Sequence, residues 1–90
     1  MQDALDLTEL KAHVTRLAQA HGFLVDVRLS DEIELPGAKG NPHIEVSVHN
    51  TSKSPPVHVQ FYVSVRQFER GGVHVFDAHM SDACRNLSAS

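Results

Sequence analysis

Val57-His58-Val59-Gln60-Phe61-Tyr62-Val63-Ser64-Val65-Arg66 decides the fold of this chain. Every odd position is Val or Phe, and every even position is polar or carries a polar tip. Successive side chains of an extended chain point to opposite faces, so this alternation puts one face on a core and the other in water. The stretch predicts a long, half-buried antiparallel strand. Such a strand needs neighbours in a sheet and something apolar over its odd face.

Upstream, Ile44, Val46 and Val48 alternate with His43, Glu45, Ser47 and His49, which predicts a strand over 43–49. Phe23, Val25, Val27 and Leu29 alternate with Leu24, Asp26, Arg28 and Ser30 and predict another. Ile33 and Leu35 resume its parity after a kink near Asp31. Pro36 to Pro42 and Asn50 to Pro56 are loops by their Gly, Pro, Ser and Asn content. Ahead of the sheet, Leu7, Leu10, Val14, Leu17 and Ala18 recur at helical steps, giving a helix over 7–21. Asp6 and Glu9 have the spacing of a capping box, and Gly22 suits a left-handed exit. Downstream, Glu69-Arg70-Gly71-Gly72 reads as a turn and Val73 to Phe76 as a short fourth strand. Residues 77–90 read as a short helix, capped by Asp77, with Met80, Ala83, Cys84 and Leu87 on one face. The expected class is α+β in one domain over 1–90. It has two layers: an antiparallel β-meander of three to four strands, with an N-terminal helix and a short C-terminal helix on one face, in the order α-β-β-β-β-α.

The 90 residues suit a single small domain, and small domains bury a modest share of their surface. Eight Lys+Arg against eleven Asp+Glu give a net charge of -3, which argues against a nucleic-acid footprint. The lone cysteine, Cys84, excludes an intrachain disulfide and a multi-cysteine zinc site. At helical spacing it joins Met80 and Leu87 as a small core residue. No apolar run is long enough to span a bilayer, so no membrane partner is expected. The start, Met1-Gln2-Asp3-Ala4-Leu5-Asp6, lacks the order of a secretory signal, so the cytoplasm is the expected compartment. Histidine is enriched, at seven residues.

The third strand outlasts its short fourth neighbour, so Val57, Val59, Phe61 and Val63 keep an unpaired edge that must be covered. Pairing with a second copy about a twofold axis makes an isologous homodimer, and a strand from a partner or a tail folded over the edge are the alternatives. On the wet face, His49 lies opposite His58 if the intervening loop closes a hairpin. Two such imidazoles can share a metal such as zinc, but Glu45 is too far along its strand to join them, and two solvated histidines are the plainer expectation. His74, Asp77 and His79 cluster at the sheet-to-helix junction without the spacing of a standard metal motif. Tyr62 and Phe76, flanked by Arg28 and Arg66, offer a platform on which single-stranded bases can stack, opposed by Asp26 and Glu45.

The α-β-β-β-α core, with Gly40-Asn41-Pro42-His43 ahead of a strand, resembles the double-stranded RNA-binding domain. In that family a Gly-Pro-x-His loop enters the minor groove and a Lys-rich start of the last helix grips phosphates. Here that helix opens Asp77-Ala78-His79-Met80-Ser81-Asp82, with acids in place of Lys, so the family's RNA binding is not expected. Short RNA-cleaving toxins share the topology but tend to be basic. The tripeptides His13-Val14-Thr15, His49-Asn50-Thr51 and His79-Met80-Ser81 match the paired motif of two-histidine phosphoesterases, but the chain is about half the length of that fold. No nucleophile, phosphate-loop or dinucleotide motif is present.

The expected function is therefore non-enzymatic. It is a small cytosolic protein, of a kind common among phage and mobile-element genes, that binds another protein as a homodimer. Tyr62, Arg66, Glu45 and His58, or the strand edge, are its contact residues. The alternatives are a small-ligand or metal-binding protein on a His-rich face, through His49 and His58, and a single-strand nucleic-acid binder through Tyr62 and Phe76. No resident cofactor is expected.

Overall fold

In the computed structural model, residues 6–30 and 42–89 are described. Helix α1 spans Thr8–Gln19, and strands β1, β2 and β3 span Leu24–Ser30, His43–Asn50 and Val57–Ser64. Helix α2 (Val65–Gly71), a 3-10 helix (Gly72–Phe76) and helix α3 (Asp77–Ala89) complete the order. The fold is α+β, with three antiparallel strands in the order β1-β2-β3. The suggested continuation through Asp31, Ile33 and Leu35, and most of the loop from Pro36, lie outside the described residues, as do Gly40 and Asn41.

The periodicities act as their spacing demands. Leu10, Val14 and Ala18 are buried along one side of α1. Gly22, at φ +76°, turns the chain out of that helix. Gly22 N–H donates to the Gln19 carbonyl at 2.9 Å and Phe23 N–H to the Ala18 carbonyl at 3.0 Å, the glycine-dependent helix end the sequence suggested. At the other end Leu7, not Asp6, occupies the N-cap position. The Asp6 carboxylate accepts from Thr8 N–H at 2.9 Å, and that bond holds its pKa below the ordinary value.

The even residues of β2 and the odd residues of β3 face the helices. Ile44, Val46, Val48 and Val63 are buried with Phe76, Met80, Ala83, Cys84 and Leu87. The tail thus packs as α3 against the sheet's face, not along its edge, and Asn50 Nδ2 donates to the Leu87 carbonyl at 3.3 Å. Burial pushes the Cys84 thiol pKa up, as suits a core residue.

Four expectations are corrected after Val63. The alternation continues through Val65 and Arg66, yet the strand stops at Ser64. The Ser64 hydroxyl accepts from Gln67 N–H at 3.2 Å and caps α2, which replaces the expected turn. The expected fourth strand, Val73 to Phe76, is the 3-10 helix. It lies so close to α2 that a Cβ on Gly71 would collide with Val75. Asp77 is the first residue of α3 with helical backbone angles, not an extended N-cap. The side chains of two histidines occupy its carboxylate instead.

Candidate functional site

Among the described residues, two features outside the core carry chemistry: the open side of the sheet with its β3 edge, and a histidine–aspartate cluster on the helices.

The open side is crossed by side-chain pairs that the register sets up. Arg28 stands opposite Glu45, and Glu45 opposite Tyr62. Arg28 Nε and one terminal nitrogen both donate to Glu45 Oε1 at 2.9 Å. Gln60 Nε2 donates to Ser47 Oγ at 3.3 Å, and His49 Nε2 lies 3.3 Å from Asp26 Oδ2. Glu45 and Ser47 belong to the middle strand, and neighbours on both sides bury them. Glu45 was expected in water as a contact residue, but it is 9 % exposed and held by Arg28.

His49 and His58 do lie side by side, with ring centroids 5.5 Å apart. Among the described residues, the group of three potential metal ligands forms elsewhere. Phe76 is not on the open side at all. It is fully buried, with Phe61 and Phe68 ring centroids at 6.3 and 5.9 Å, so the Tyr62–Phe76 stacking platform does not exist. Arg66 sits on α2, beyond the sheet. Its expected place on the strand depended on the alternation that Ser64 cuts short. Tyr62 and His58 keep their places on the open side of β3.

The edge of β3 has a definite chemistry. Val65 N–H donates to the Pro42 carbonyl at 3.1 Å, in line with the β2–β3 register. Antiparallel pairs alternate between bonded and non-bonded, so Val57, Val59, Phe61 and Val63 exchange their backbone bonds with β2. The backbone groups of His58, Gln60 and Tyr62 therefore point outward, where β3 has no strand neighbour among the described residues. The apolar residues expected to form the edge instead present their side chains to the helical side. Val57, Val59 and Phe61 are only half-buried there.

The second cluster was half legible. His74 and Asp77 pair, with Nδ1 to Oδ2 at 3.0 Å. His79, the expected third member, instead stacks on Phe61 at 5.1 Å between ring centroids. Its place is taken by His13 of α1, whose Nε2 lies 2.6 Å from Asp77 Oδ1. These hydrogen bonds, His13 first and His74 second, hold the Asp77 carboxyl below its ordinary pKa. No local spacing announces a residue 64 positions away. The available signal was that His13 shares the stripe side of a helix that must cross the last one.

No family model matches the chain, and comparison with curated proteins and with solved structures gave no match. Among the described residues, no helix is long and apolar enough to cross a membrane.

Proposed function

We propose that the chain is a binding protein that works as a homodimer, with β3 of one copy pairing antiparallel with β3 of the other. The observation that carries this reading is the outer side of β3, which has no strand neighbour among the described residues and where His58, Gln60 and Tyr62 present their backbone groups. Between Val57 and Ser64 there is no Pro and no Asp, Glu, Lys or Arg, the devices by which edges are kept apart. A second copy supplies complementary bonds to all three residues. A register centred on Gln60 sets His58 opposite Tyr62 of the other copy. It also brings Val59 opposite the other copy's Phe61, extending cover over half-buried side chains.

The dimer then carries a continuous six-stranded sheet whose open side displays His58 and Tyr62 twice, for contact with a protein partner. Support for binding over catalysis comes from the pairing on that side. Arg28 with Glu45, Gln60 with Ser47 and His49 with Asp26 engage one another.

The test is the solution mass of the parent and of Gln60→Pro. Proline at 60 removes an outward N–H and leaves the bonds to β2 intact. The expected parent mass is twice the 9.9 kDa of the chain, and Gln60→Pro is expected to be a monomer with an unchanged circular dichroism spectrum. Gln60→Lys, which sets two like charges at the axis, gives the same answer without altering the backbone. A monomeric parent, or a dimer that survives Gln60→Lys, overturns the proposal.

A further inference from the structure

We propose that His13, His74 and Asp77 form a binding site for a divalent transition-metal ion of zinc's class. The three donors come from three elements that pack together: α1, the 3-10 helix and the first residue of α3. Their ligand atoms all lie within 4.8 Å of one another. A tetrahedral ion with donors at about 2.0–2.1 Å separates those donors by about 3.3 Å. His13 Nε2–Asp77 Oδ1 at 2.6 Å and His74 Nδ1–Asp77 Oδ2 at 3.0 Å are direct hydrogen bonds shorter than that, so an ion replaces them, the more exposed Asp77 and His74 side chains turning to make room while His13 stays in place. Two imidazoles and one carboxylate suit Zn²⁺, Co²⁺ or Ni²⁺ better than Ca²⁺ or Mg²⁺, which prefer all-oxygen sites.

The frame behind the donors is rigid. Phe76 and Met80 on either side of Asp77 are buried, as are Leu10 and Val14 beside His13. The His13 side chain is 11 % exposed, so its ring is held in place, while His74 at 78 % faces water. A hollow lined by Glu9, His13, Arg16, Val73 and His74 opens beside the cluster and leaves room for water at a remaining coordination position.

One residue opposes the ion in a way that can be tested. Arg16 Nη2 lies 3.2 Å from His13 Nδ1. A guanidinium only donates, so Nδ1 accepts, and the ring proton sits on Nε2 towards Asp77. An ion at Nε2 moves that proton to Nδ1, where it meets the Arg16 N–H groups. The exposed Arg16 side chain must then swing away. The His74 side chain is 78 % exposed and meets Asp77 through Nδ1. Arg16→Gln replaces a donor with a side-chain oxygen that can accept the Nδ1 proton, the usual partner of a metal-bound histidine.

The site lies on the helices and does not depend on the β3 dimer. The experiment is calorimetric titration of the full chain with zinc chloride, repeated with cobalt(II) and read by its visible absorption. One ion per chain is expected. Binding is expected to be lost in His74→Ala, tightened about tenfold in Arg16→Gln, and unchanged in the His49→Ala, His58→Ala double variant. Because His74 is exposed, its removal leaves the fold intact, and circular dichroism checks this. Binding that survives His74→Ala or disappears in the double variant overturns the proposal. So does the absence of binding in both the parent and Arg16→Gln.

Discussion

Along β1, Asp26 and Arg28 project from an edge strand with their side chains 82 % and 71 % exposed, whereas β3 carries no Asp, Glu, Lys or Arg from end to end. Both strands flank the same β2, and both leave alternate backbone groups without a strand neighbour among the described residues. A charged edge resists a second strand, because pairing would desolvate the charge or set it against its own copy. The same sheet therefore has one edge built to stay single and one edge without that protection. On the proposed reading, edge chemistry, more than the length of a strand, decides which side takes a partner.

The largest expected effect separates the two sides of β3 itself. Val59 bonds inward to Val48, so Val59→Pro removes a ladder bond in the sheet and sets a ring against β2. The Val48 carbonyl left without its donor costs about 1–3 kcal/mol by itself, and the misfit of the ring adds to that. That is a large share of the stability of a small domain, so circular dichroism should show a largely unfolded chain. Gln60→Pro, one residue along, is expected to keep the fold. Equal damage from the two substitutions would show that the inward and outward assignments are wrong.

On the β1 side, Arg28 also pairs with a buried acid. It neutralises Glu45, whose side chain is 11 % exposed in the middle of the sheet. Arg28→Ala leaves that carboxylate buried without its partner, at an expected cost of about 1–3 kcal/mol in urea unfolding. Adding Glu45→Gln to Arg28→Ala should recover most of the loss. Additive losses would mean that the pair is not coupled.

Ser64→Ala is expected to cost about 1 kcal/mol through the lost cap on α2. Its clearest trace should be faster amide exchange at Gln67, whose N–H the hydroxyl accepts at 3.2 Å. Unchanged exchange at Gln67 would mean that the cap does not set the end of β3.

That cap also marks the limit of what the sequence made legible. The three strands, both long helices and the core positions of α3 follow from periodicity, because burial is local and repetitive along each element. The end of β3 was obscured because Val65 keeps the two-residue period, while Ser64 and Gln67, spaced as a cap, point the other way. The burial of Glu45 could not be read from alternation. Alternation says which side a residue faces, not whether neighbours on both sides cover it. Phe76 was misplaced for a related reason: a run of four residues fits a strand and a 3-10 helix equally well. The His13–Asp77 contact depends on how two helices cross, which no local pattern encodes.

The gentlest substitution bears most directly on the comparison of edges. Asp26→Val removes an exposed charge and a 3.3 Å contact to His49, so stability should move by no more than about 0.5 kcal/mol. It also strips β1 of one of the two charges that set it apart from β3. If β3 pairs as proposed and those charges keep β1 single, the variant acquires a second pairing edge at the opposite side of the sheet. Two such edges on one molecule make a contact that need not close on itself, so growth beyond the dimer is expected. Light scattering over a concentration series should show the mass rising with protein concentration in Asp26→Val and holding constant in the parent. A constant mass in the variant would mean that Arg28 alone protects β1, and Asp26→Val combined with Arg28→Thr would then be needed to open it.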